Sequence, residues 1–178
     1  MQARDEATVE RARRVRLMVF DVDGVLTDGS LHFGVDGELI KTFNVLDGHG
    51  IKLLQRAGIV PAVVTGRDSA ALRARLNALG VVHARFGTED KRPAAEAILA
   101  ELGVGWSAAA AMGDDWPDLP MLRRAALACA PSTAHAEVLA LVHHVTTRLP
   151  GAGAVRDLCD LLLVASGAYA RELEAAAR

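Results

Sequence analysis

The chain has 178 residues, 51% of them apolar and only 4% aromatic, with a formal net charge of −2. That length fits one domain, 1–178, around a core of Ala, Val and Leu. The balance of Lys and Arg against Asp and Glu leaves no basic footprint for nucleic acid, and no apolar run approaches the ~20 residues of a membrane span. The start of the chain is charged and lacks the apolar stretch of a signal peptide. Cys129 and Cys159 lie far apart in apolar segments, with no Cys-x-x-Cys pair. They read as buried thiols of a reducing, cytoplasmic compartment.

The leader, about 1–14, carries no structural signal and is expected to be flexible, as is the tail 170–178. Leu17-Met18-Val19-Phe20 then runs directly into Asp21-Val22-Asp23-Gly24-Val25-Leu26-Thr27-Asp28-Gly29. This reads as a buried parallel strand, 17–21, that opens into an acidic loop. Ligands of open α/β sheets bind at that edge. Two carboxylates two residues apart there supply a nucleophile and a proton donor beside a metal. A calcium loop is excluded, because the fifth position is Val25 and the twelfth is His32.

Residues 30–45 form an insertion. Two strand-like pieces, 31–35 and 38–43, flank Asp36-Gly37, a strong hairpin signal. Beyond it the chain alternates strands at 60–64, 83–86, 108–112, 127–130 and 144–146 with helices at 48–57, 69–79, 93–102, 117–124, 134–141 and 154–169. Gly58, Gly80 and Gly103 stand where left-handed helix caps belong. The fold class is therefore α/β: a Rossmann-like parallel sheet between helices, with an inserted β-hairpin and no large cap domain.

Three further loops follow strands and should converge with the first: Thr65-Gly66-Arg67, Lys91 at a helix start, and Gly113-Asp114-Asp115 with Asp118. Each alone is a common turn or helix start. In this order they resemble the four motifs of the haloacid dehalogenase superfamily, a group dominated by phosphatases. The resemblance implies that Asp21 is a nucleophile forming an aspartyl-phosphate. Asp23 would protonate the leaving oxygen and then deprotonate water, while Thr65 and Lys91 hold the phosphoryl oxygens. Lys91 and a Mg²⁺ ion would cancel the repulsion between carboxylate and phosphate. Asp21, Asp114 and the Asp23 carbonyl are its expected ligands, with Asp115 acting through water and Asp118 orienting Lys91 or a water.

The likeness extends from about 17 to 167. Asp21 to Gly29, Phe43-Asn44-Val45-Leu46-Asp47-Gly48-His49-Gly50, Val145-Thr146-Thr147-Arg148 and 153–162 together resemble the 3-deoxy-D-manno-octulosonate (KDO) 8-phosphate phosphatases of lipopolysaccharide precursor synthesis. That family has no cap domain. Its hairpin joins those of three other subunits in a homotetramer whose neighbours cover the active site. A hairpin folded over its own site is the alternative. The resemblance also implies a phosphorylated sugar-acid substrate, bound by Thr65, Gly66, Arg67, Arg75 and Lys91. Arg67 and Arg75 would face the sugar carboxylate. Relatives acting on nine-carbon sugars carry Glu and Lys at the positions of Arg67 and Ala78, so the resemblance implies an eight-carbon sugar. The family's Gly-Gly-Arg-Gly is replaced here by Pro150-Gly151-Ala152-Gly153, so one arginine is missing at Ala152. Rival functions are the same chemistry on a nine-carbon sialic-type phosphate, or a non-catalytic oligomerisation module of this fold.

Overall fold

The computed structural model describes residues 6–35 and 37–178. In chain order the strands are β1 (Leu17–Phe20), β2 (His32–Gly34), β3 (Gly37–Ile40), β4 (Val60–Val64), β5 (His83–Arg85), β6 (Ala109–Met112), β7 (Leu127–Ala130) and β8 (His144–Val145). The helices are α1 (Glu6–Arg13), α2 (Val45–Arg56), α3 (Ala70–Leu79), α4 (Lys91–Leu102), α5 (Leu119–Leu122), α6 (Ala136–Leu141), α7 (Ala154–Ala165) and α8 (Tyr169–Ala176).

Six strands form one parallel sheet in the order β5-β4-β1-β6-β7-β8. β1 sits between β4 and β6, with Phe20 opposite both Val63 and Met112. The chain winds outward to β5 and then returns across β1 to β6. The loops after β1, β4 and β6 therefore leave one sheet edge side by side, at the switch in winding direction.

Strand side chains alternate between two cores. Met18 and Phe20 pack with α2, α3 and α7, whereas Leu17 and Val19 pack with α4, α5 and α6. Every residue of β1, β6 and β7 is buried, as expected for strands covered on both faces. The helix signals act as read. Asn44 caps α2 by accepting from the Leu46 N–H at 2.8 Å, Ser69 caps α3, and Gly58, Gly80 and Gly103 take positive φ at helix ends.

Several boundaries differ from expectation. The ends expected to be flexible carry helices, α1 and α8. Only Thr8 and Ala12 of α1 are buried, too faint a stripe to stand out among its charges. Tertiary bonds hold it: Arg11 donates to the Ala126 carbonyl at 2.9 Å and Thr8 to the His143 carbonyl at 3.3 Å. The terminal helix divides at Gly167, whose φ of +75° interrupts it. The helix expected over 117–124 is a 3₁₀ turn, Trp116–Asp118, followed by α5, because Pro117 and Pro120 lack N–H donors. The hairpin strands are shorter than expected and, among the described residues, pair only with each other; Asp36 of the turn lies outside those residues. Among the described residues no helix is long and apolar enough to cross a membrane.

Candidate active site

The first acidic loop follows β1 directly. The Asp21 N–H continues the ladder to the Met112 carbonyl at 3.0 Å, and the N–H groups of Val25, Leu26 and Thr27 all turn back onto the Val22 carbonyl. Gly24 adopts φ +84°, and a Cβ there would lie 2.1 Å from an Asp114 carboxylate oxygen. Only glycine lets the loops after β1 and β6 approach so closely. Gly113 serves similarly, since a Cβ on it would lie 2.3 Å from Asp118 Cγ.

Asp21, Asp114 and Asp118 consequently bring one carboxylate oxygen each within 4.8 Å of one another. Their roles separate by hydrogen bonding. Asp118 accepts from Lys91 Nζ at 2.7 Å through one oxygen, and from the N–H groups of Asp114 and Asp115 at 3.0 and 3.2 Å through the other. Both of its oxygens are thus committed to orienting Lys91 and the loop after β6. Lys91, the first residue of α4, also places Nζ 2.6 Å from Asp21 Oδ1. Asp115 opens the 3₁₀ turn: its carbonyl accepts from the Asp118 N–H at 3.0 Å and its own N–H donates to the Asp118 carboxylate, so it shapes the loop.

This buried cluster holds three carboxylates against one ammonium group. Burial first, then the charge of Asp118, pushes the Asp21 carboxyl well above the usual carboxylate range, with Lys91 opposing the shift. The same two causes raise Asp114. Burial works against a charged Lys91, but Asp21 and Asp118 outweigh it and raise its pKa. Such an excess of hard anionic oxygens fits a divalent cation held by Asp21 and Asp114.

Thr65, buried at the end of β4, donates its N–H to the Arg85 carbonyl at 3.0 Å and accepts from the Arg67 N–H through Oγ1 at 3.2 Å. Thr65, Gly66, Arg67 and Lys91 line an open cleft of about 560 Å³ together with Asp21, Asp23 and Asp114. The expected residues from four separate loops thus meet at one place, with Arg75 as the exception. Its guanidinium turns to α2, donating to the Asn44 carbonyl at 3.0 Å beside the Phe43 ring. The register of α3 aims it at the hairpin's exit rather than at the cleft. At the Ala152 segment, the Gly151 N–H donates to the Val25 carbonyl at 3.4 Å, so this turn rests on the first acidic loop.

Sequence reasoning missed three residues. Thr88 and Glu89 line the cleft, and their place just before Lys91 on the loop after β5 was the available signal. Lys41, beyond β3, is buried and pairs with Asp23 and, at 3.2 Å, with Glu38. No local motif marks it, because its partner lies in a different loop.

Residues 42–126 match the family model of haloacid dehalogenase-like hydrolases. A curated relative, the 3-deoxy-D-manno-octulosonate 8-phosphate phosphatase of Yersinia pestis, is 41% identical over 157 residues, covering 88% of this chain and 84% of the relative. The crystal structure of the corresponding Moraxella catarrhalis phosphatase, in complex with magnesium, phosphate and KDO, has a TM-score of 0.94 at 33% identity and covers 97% of this chain and 99% of that one. The cobalt-bound form of the Haemophilus influenzae phosphatase has a TM-score of 0.88 at 39% identity, covering 89% and 93% of the two chains. By its sequence, over most of its length, the chain belongs to the 3-deoxy-D-manno-octulosonate 8-phosphate phosphatases of the haloacid dehalogenase-like hydrolases.

Proposed function

We propose that this protein is a divalent-metal-dependent phosphomonoesterase that hydrolyses KDO 8-phosphate to KDO and inorganic phosphate, a step of lipopolysaccharide precursor synthesis. One observation carries the reading: Asp21 sits beside Lys91 and Asp114 at the sheet's switch point, with Asp118 holding Lys91 in place. A carboxylate attacks a phosphate dianion only where cations offset the repulsion, and this is such a place.

In the first half-reaction an Asp21 oxygen bonds to phosphorus as the ester P–O bond breaks, and the Asp23 carboxyl proton passes to the departing sugar oxygen. In the second, a water oxygen bonds to phosphorus, its proton passes to Asp23, and the Asp21–phosphorus bond breaks. Thr65, Gly66 and Lys91 hold the phosphoryl oxygens through these steps. A Mg²⁺ ion bound by Asp21, Asp114 and the Asp23 carbonyl would supply the remaining positive charge. Arg67, at the cleft's rim, meets the sugar carboxylate. Arg75 supports the entrance to α2 instead.

The hairpin supports a homotetramer in a cytoplasmic, single-domain enzyme. Phe33, Leu39 and Ile40 are each at least 60% exposed, an apolar surface that a neighbouring subunit would cover while closing the cleft to water. Purified protein with Mg²⁺ should release phosphate from KDO 8-phosphate with a higher kcat/KM than from a nine-carbon sialic-type 9-phosphate. Asp21→Asn should lower that release by more than about 10³-fold. Unchanged turnover in Asp21→Asn would remove the mechanism, and preference for the nine-carbon ester would reassign the substrate.

A further inference from the structure

Asp21 and Asp23 are two residues apart, yet different cations serve them. Lys91 pairs with Asp21, whereas Asp23 pairs with Lys41 and lies 4.0 Å from Arg67 Nε. Lys41 comes from outside all four motifs, at the foot of the hairpin. Its two predecessors, Leu39 and Ile40, point to solvent, while the Lys41 side chain is only 2% exposed. That inverts the usual order, since lysine is among the residue types least often fully covered. A buried ammonium group is destabilising unless it is paired, and the two carboxylates of Asp23 and Glu38 supply the pairing. Glu38 lies on β3, so Lys41 is anchored to the hairpin at one side and grips the acidic loop at the other.

We propose that Lys41, braced by Glu38, is a positioning residue: it holds the Asp23 carboxyl group where the sugar oxygen leaves, and makes that placement depend on the seating of the hairpin. The inference deepens the proposed function and rests on Asp23 as the proton donor. Lys41 itself is too enclosed to reach a substrate in the cleft, so it acts through Asp23. Small displacements of a proton donor are costly, because transfer requires hydrogen-bond reach to the departing oxygen. The ion pair also links the exposed apolar strands to the chemistry, so that whatever covers the hairpin steadies the donor.

The test compares two esters. An alkoxide leaving group needs a proton as it departs, whereas para-nitrophenolate leaves without one. Lys41→Met should lower kcat/KM for KDO 8-phosphate by about 10²-fold but for para-nitrophenyl phosphate by less than about 3-fold, and Lys41→Arg should recover the former to within about 5-fold of the unaltered protein. Equal losses on both esters would show that Lys41 only supports the fold and would overturn the proposal, as would full activity in Lys41→Met. If Lys41→Met fails to fold by circular dichroism, the same ratio is read on Lys41→Gln. An unaltered protein inactive on both esters would instead remove the phosphatase reading beneath it.

Discussion

Lys91 shows how much one side chain carries at this site. It is buried at the start of α4 between Asp21 and Asp118, the sole ammonium group within 4 Å of either among the described residues. Replacing it with Met leaves two covered carboxylates without that partner, a loss of about 3–5 kcal/mol for a broken buried pair. In the metal-free protein Lys91→Met should lower Tm by about 10 °C, read by calorimetry. Added Mg²⁺ should recover part of that loss, and phosphate release should fall by about 10²–10³-fold. An unchanged Tm would mean that the cluster is already neutralised by protons. At this scale the sequence was legible wherever a motif binds its own neighbourhood: Asp21, Thr65 and Lys91 all stand where strand ends predicted them. It misled at Arg75, because a helical residue's direction depends on how its helix is rotated against the sheet.

At the scale of elements, α2 and α7 are joined by a buried carboxylate. Asp47, in the first turn of α2, accepts from the Arg156 N–H at 2.8 Å and the Gly153 N–H at 3.3 Å, tying the start of α7 to the hairpin's exit. Burial raises its pKa above the ordinary 3.8, although these backbone donors oppose the shift. The folded state therefore holds this proton more tightly than the unfolded chain does. Its contribution to stability weakens as pH rises from about 3.8 through the raised value. The stability difference between the unaltered protein and Asp47→Asn, followed by urea unfolding, should shift in favour of the variant across that window. A pH-independent difference would locate the charge cost elsewhere. The hairpin is the other element with a measurable role. Leu39→Asp places a charge on its apolar face and should convert the proposed tetramer to smaller species in sedimentation velocity, with slower turnover. An unchanged sedimentation coefficient would favour a hairpin that covers only its own cleft.

For the whole molecule, the proposed metal dependence would join stability to activity. A divalent ion bound only by the folded state adds about 2.7 kcal/mol at 100 times its Kd. Chelation with EDTA should accordingly abolish phosphate release and lower Tm by about 5–10 °C, with both restored by Mg²⁺. Full activity after exhaustive chelation would contradict the metal's role. Sequence alone determined the alternation of strands and helices, the inserted hairpin and the four loops at strand ends. Those features follow from local periodicity, glycine caps and short apolar runs, which need no knowledge of distant contacts. Tertiary structure alone decided that Asp118 is spent on Lys91 and two backbone donors, that Arg75 turns from the cleft, that α1 is tied to the Ala126 and His143 carbonyls, and that Lys41 meets Asp23. Each of these is a pairing between segments far apart in the chain or a direction set by packing, and neither leaves a mark on the residues beside it.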